Sequence, residues 1–130
     1  MTRRAARALA RSYDAAMAPT GLTSAQFTLL ASIAAYGPVS ISTLSEQLLM
    51  EASTLSRNLQ GLRKADYLDW REGSGRRAAE ITLSEAGLTA LAAAIPAWQE
   101  MQRGLTRRLG SGKASALLEN LEAAARALAD

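Results

Sequence analysis

Ser53, Arg57, Gln60 and Lys64 recur at helical spacing in the middle of the chain and carry only hydrogen-bonding or charged groups. At about 100° per residue they fall on one side of a helix, with Thr54 and Gly61 beside them. Ala52, Leu55, Leu59 and Leu62 fall on the opposite side and must pack inward. A polar face with no large apolar member suits the major groove of duplex DNA, which is ~12 Å wide and admits one helix. Small Ser53 and Thr54 allow close approach of the backbone. Arg57, one turn further in, can reach a guanine edge with two hydrogen bonds. Arg76 and Arg77 follow directly on Gly73-Ser74-Gly75. Arginine on an exposed hairpin tip is placed to enter a neighbouring minor groove, where negative potential favours guanidinium. A polar helix face alone more often meets only water. Its pairing with a basic tip points to nucleic acid.

What the chain lacks is as informative. It has no cysteine and no histidine, so disulfides, thiolate nucleophiles, imidazole bases and His- or Cys-based metal sites are excluded. Catalysis would have to rely on carboxylates, Lys, Ser, Thr or Tyr, and no pair of these shows a telling spacing. An enzyme is therefore not expected, nor is a cofactor or a metal. The 130 residues make one domain. Fifteen basic residues against twelve acidic ones give +3, a balance that permits nucleic-acid binding without requiring it. Between Ile41 and Glu80 the charges cancel: Arg57, Arg63, Lys64, Arg71, Arg76 and Arg77 stand against Glu46, Glu51, Asp66, Asp69, Glu72 and Glu80. Phosphate contact must then come from local clustering rather than from a broad positive field. The uncharged stretch at 88–98 is far shorter than the ~20 residues that span a bilayer. Arg7 and Arg11 interrupt any apolar run near the start, so a secretory signal is not expected and the protein is expected in the cytoplasm.

The elements that must position these residues are mostly helical. Alanine (28) and leucine (20) supply over a third of the chain, and both favour helix. The first helix covers Thr2–Met17, with Ala5, Ala6, Leu9, Tyr13, Ala16 and Met17 on one side and Arg3, Arg4, Arg7, Arg11 and Asp14 on the other. Thr23 and Gln26 make a capping box for the second, which stops at Gly37-Pro38. Ser42 is expected to cap a short third helix over 43–49. The fourth, Ala52–Lys64, starts at Glu51, which suits the positive end of its dipole. Alternation of Leu68 and Trp70, then of Ala79, Ile81 and Leu83, predicts a β-hairpin around the glycine-rich tip. Ser84 caps a long helix, Glu85–Leu109, which Pro96 is expected to kink or break. Ser111 is expected to cap a last helix over 113–129, with Leu117, Leu121, Ala125 and Leu128 on one face and a Glu122–Arg126 pair one turn apart.

Helices joined by a tight turn and followed by a hairpin describe a mainly α, winged helix-turn-helix fold with flanking terminal helices. At this point the sequence resembles the MarR family of bacterial winged-helix regulators. The resemblance is carried by Leu22-Thr23-Ser24-Ala25-Gln26-Phe27, Ile41-Ser42-Thr43-Leu44-Ser45-Glu46 and Ala52-Ser53-Thr54-Leu55-Ser56-Arg57-Asn58-Leu59. Gly75-Arg76-Arg77-Ala78, running into Ile81-Thr82-Leu83-Ser84-Glu85-Ala86-Gly87, completes it. The motifs span about 22–87, and the helix order extends the match over nearly the whole chain. Two departures stand out. The family's wing usually carries Asp-x-Arg where this chain has Gly75-Arg76-Arg77, and Leu49 stands where the turn before the fourth helix usually has glycine.

The resemblance implies one domain over 1–130, with a DNA-binding part at 22–87 and dimerisation helices at 1–18 and 88–130. It implies a homodimeric transcription regulator, usually a repressor, reading an inverted repeat of double-stranded DNA through Ser53, Thr54, Ser56, Arg57, Gln60, Lys64, Arg76 and Arg77. The continuous apolar faces of the first and last helices support self-association independently. The family also implies a small-molecule effector, and Tyr13, Met17, Phe27, Tyr36, Trp98 and Met101 are candidates to line its pocket, although aromatics at this spacing are more often core. The alternative is a winged-helix module that binds a protein partner and not DNA, favoured by the net-neutral reading unit.

Overall fold

The computed structural model describes residues 2–129. In chain order the elements are α1 (Thr2–Met17), a 3-10 turn (Ala18–Thr20), α2 (Ser24–Tyr36), α3 (Ile41–Leu48), α4 (Ala52–Lys64), β1 (Leu68–Arg71), β2 (Glu80–Leu83), α5 (Glu85–Leu109) and α6 (Ser111–Ala127). This is the expected winged helix-turn-helix: α3 and α4 joined by a tight turn, then an antiparallel hairpin, between terminal helices.

One apolar core organises the winged unit. Leu29, Leu30 and Ile33 of α2, Leu44 of α3, Leu55, Leu59 and Leu62 of α4, and Ile81 of β2 are all essentially solvent-free. In the hairpin Leu68 pairs with Leu83 and Trp70 with Ile81. All four lie on the face that meets the helices, because opposed residues of an antiparallel pair share a face. Val39 joins this sheet through reciprocal backbone bonds with Ile81, Val39 N–H to Ile81 O at 3.1 Å and Ile81 N–H to Val39 O at 2.8 Å.

That bridge corrects the expected start of α3. Val39 is held extended, so the helix begins at once after it. Ser40, not Ser42, is the cap: its φ and ψ are −87° and 161°, and its Oγ accepts the Thr43 N–H at 3.2 Å. Ser42 lies in the first turn, exposed. Other differences are local. Ala52 is exposed rather than packed with Leu55, Leu59 and Leu62; it is the first residue of α4, directly after the Glu51 cap. α6 starts at Ser111 with Gly110 as its cap, at φ 83°. β2 starts one residue after Ala79. Pro96 leaves α5 as one assigned helix. Pro96 and Ala92 are both exposed, so water can satisfy the Ala92 carbonyl that a proline four residues on cannot.

The capping box on α2 forms as expected, with the Gln26 N–H on Thr23 Oγ1 at 3.1 Å and the Thr23 N–H on Gln26 Oε1 at 3.0 Å. Asp14 adds a link the sequence did not reveal. Its carboxylate accepts the Ser24 N–H at 2.8 Å and ties α1 to the start of α2. α5 is fastened to the hairpin base by Ser84, whose Oγ accepts from the Gly87 N–H at 3.0 Å and donates to the Asp66 carbonyl at 2.6 Å. Gly87 is required there, since a Cβ would lie 2.1 Å from the Tyr67 carbonyl oxygen.

Leu49 closes α3 in the left-handed region, φ 51° and ψ 39°, with its side chain 52% exposed. A non-glycine residue there costs about 1–2 kcal/mol. Two bonds hold the turn: the Met50 N–H reaches Ser45 O at 3.3 Å, and Ser45 Oγ donates to the Met50 carbonyl at 2.7 Å. Leu49→Gly should therefore stabilise the fold by about 0.5–1 kcal/mol, the relief of strain exceeding glycine's greater freedom when unfolded. Urea unfolding checks this, and a lower midpoint in the variant would contradict it.

Candidate nucleic-acid interface

The rotation of α4 is set by its three buried leucines, which pack toward α2, α3 and β1. What they leave outward is the predicted face. Ser53, Arg57, Gln60 and Lys64 are exposed, and Thr54 and Ser56 are partly covered at its edges. Among the described residues no carboxylate lies within ion-pair distance of Arg57 or Lys64. Asn58 is committed to its own helix, donating to the Thr54 carbonyl at 3.1 Å.

The wing is shaped by two glycines. Gly75 takes φ 62° at the first central position of a turn closed by the Arg77 N–H on Ser74 O at 3.1 Å. Gly73 lets the two arms cross, since a Cβ there would lie 1.8 Å from the Arg77 carbonyl oxygen. The Arg77 backbone is thus held by the turn itself, although no acid stands where the family's aspartate would. Arg76 and Arg77 are both exposed.

A groove between α3 and the wing adds residues that the sequence reading did not select. Ser40, Thr43 and Gln47 line one wall, Arg71 and Arg77 the other. The signal was available: positions 40, 43 and 47 share one side of a helix at the same spacing that marked the face of α4.

The six candidate pocket residues do not form one site. Tyr13 and Phe27 both pack on Trp98, Tyr13 tilted with ring centroids 4.6 Å apart and Phe27 stacked at 4.7 Å. Their contact fills the junction of α1, α2 and α5, and partial burial raises the Tyr13 phenol above its usual pKa. Met17 is fully buried in the core. Tyr36 is 62% exposed at the far end of α2, in the groove beside the wing. Met101 lines a separate open cleft between α1 and α5, with Leu9, Ser12, Ala16 and Gly104. Glu100 and Arg107 also line that cleft, and Arg107 and Arg103 donate to Glu100 at 2.9 and 3.2 Å and lower its pKa.

Among the described residues no cluster of His, Cys, Asp or Glu is arranged to hold a metal, and no helix is long and apolar enough to cross a membrane.

Two helices joined by a tight turn, an outward polar face, an adjoining hairpin with arginines at its tip and flanking terminal helices define a winged helix-turn-helix protein. The MarR family profile matches residues 20–78. The M. tuberculosis transcriptional regulator MosR is 35% identical, over 97% of this chain and 93% of its own, with a TM-score of 0.79. The same regulator in complex with DNA matches at 36% identity with the same coverage and a TM-score of 0.79. The transcriptional repressor CouR is 25% identical over 96% of this chain and 89% of its own, with a TM-score of 0.82. No curated protein sequence matches the chain. The chain belongs to the MarR family, a family of transcription regulators.

Gly73→Ala should deform the wing without unfolding the domain, because the tip makes no contact with the core. Global unfolding free energy should change by less than about 1 kcal/mol, while hydrogen exchange at the Arg77 amide accelerates. Unaltered Arg77 protection would show that the arms do not depend on this crossing.

Proposed function

We propose that this chain is a homodimeric DNA-binding repressor that reads an inverted repeat through α4, with the wing on the neighbouring backbone or minor groove. The observation that carries the reading is the reading face itself: Arg57 stands exposed with no acidic partner among the described residues, beside small Ser53 and Thr54. Arg57 reads a base edge, Gln60 and Lys64 extend the contact along the groove, and Arg76 and Arg77 supply charge that the neutral unit otherwise lacks. The relative solved with DNA supports DNA as the partner, and the repressor CouR supports the sense of regulation.

Self-association is supported by unpartnered apolar surface. Within α6 only Ala114 is buried; Leu117 is half-buried, Leu118 and Leu121 are exposed, and Leu128, just past the helix, is 81% exposed. A two-fold dimer would set its reading helices about one DNA turn, ~34 Å, apart. Release by a small ligand fits the open cleft between α1 and α5 better than the filled aromatic stack, because only the cleft has room. The absence of histidine and cysteine argues against sensing through thiols or His-bound metal. The protein-partner alternative rests on the cancelling charges between Ile41 and Glu80.

A gel shift on the DNA flanking the gene, with salt varied, separates these readings. Arg57→Ala should leave the fold intact, since an exposed helical arginine contributes little to stability. Specific binding should weaken by about 1–3 kcal/mol per half-site, with preference relaxed at one base pair in each. Undiminished operator binding by a folded, dimeric variant would favour the protein-partner alternative.

Deletion of 113–130 tests the dimer. The remaining chain should sediment as monomer or aggregate at micromolar concentration, whereas a soluble dimer would remove α6 from the interface.

A further inference from the structure

Arg63 carries a charge in the reading unit but lies off the reading face. Six residues beyond Arg57, it is turned about 120° around α4, to the flank beside Leu59 that meets the hairpin. Its guanidinium lies over the Trp70 ring, 4.5 Å from the centroid. The same group reaches Glu72 at 3.7 Å. Trp70 is the last core-facing residue of β1, and Glu72 is the first residue past β1 on the arm that leads to the tip. Among the described residues this is the only ion pair between α4 and the wing. A flat guanidinium stacked on an indole and directed at a carboxylate is a contact that lysine reproduces poorly.

We infer that Arg63 is a positioning residue, a strut between Trp70 and Glu72 that sets the angle of the wing against the reading helix. The inference rests on the reading of α4 and the wing as one DNA-binding unit. The core holds β1 and β2 at their base, but past Arg71 and Glu80 the arms make no ladder. With the strut present, Arg76 and Arg77 meet DNA at a fixed offset from Arg57. Without it the wing keeps its charge and loses its aim. The role also accounts for Glu72: its carboxylate is the one that faces Arg63.

The first test needs no DNA. In Arg63→Ala, hydrogen exchange at amides 71–79 should speed up several-fold and Trp70 emission should shift toward that of exposed indole, with the midpoint of thermal unfolding nearly kept. Unchanged exchange and emission would overturn the strut, whatever the protein binds.

The second test is a double-mutant cycle on DNA affinity. Arg63→Ala should weaken binding about fivefold or more in the wild-type wing, and by less than about twofold when Arg76 and Arg77 are already alanine. A direct phosphate contact by Arg63 gives the opposite pattern: equal losses in both backgrounds and a salt slope lower by about one unit. Glu72→Gln supplies an independent sign. Removing an acid beside DNA strengthens binding on charge alone, whereas loss of the strut's anchor weakens it by about two- to threefold; tighter binding would overturn the proposal. If the wild type binds no DNA, the DNA-binding reading itself fails, and the exchange measurement still decides whether Arg63 orders the wing.

Discussion

Everything that faces outward on α4 depends on the burial of Leu55, Leu59 and Leu62 against α2, α3 and β1. Three leucines removed from water contribute several kcal/mol together, at about 1.5–3 kcal/mol for each. A rotation of α4 by one residue would expose them, so the helix has one stable setting. That setting turns Ser53, Arg57, Gln60 and Lys64 to solvent and Arg63 to the hairpin. The polar face of α4 is thus the complement of the packed face, and its polarity follows from what the core does not take.

The rest of the domain serves to hold that helix and the wing in one frame. Ile81 is the shared element: it is fully buried under the helices, pairs with Trp70 across the hairpin and bonds to Val39 on its other side. The segment before α3 and the base of the wing are therefore one small sheet. Ser84 and Gly87 continue the frame into α5, and Asp14 with the Tyr13–Trp98–Phe27 stack carries it to α1. α1 and α5 are thereby joined to the helix-turn-helix and the hairpin by continuous contacts.

Two local features depart from the family's habits, and the fold absorbs both. Leu49 adopts the conformation that glycine would take, because Ser45 and Met50 close the turn around it. The wing has no aspartate before its arginines, and backbone geometry at Gly73 and Gly75 defines the tip instead. At Leu49 a side-chain hydroxyl and a backbone bond hold the turn, and in the wing backbone geometry alone does so; both sites lie at the surface.

Periodicity in the chain was enough to determine the class of fold, the helix order, the hairpin and the face of α4, since burial of apolar residues at fixed spacing leaves little choice of rotation. The capping box of α2 was legible for the same local reason: donor and acceptor lie three residues apart. What depended on distant segments was not legible. Ser40 caps α3 because Val39 is held by Ile81, forty-two residues away in the chain. The six pocket candidates looked alike as large apolar residues, yet three stack, one is core, and Tyr36 and Met101 face different clefts. Arg63 counted in the sequence as one more positive charge, and only the approach of β1 to α4 gave it Trp70 and Glu72 as partners. Spacing along a chain specifies which way a side chain points on its own helix; what it then meets is decided by the packing of elements far apart in sequence.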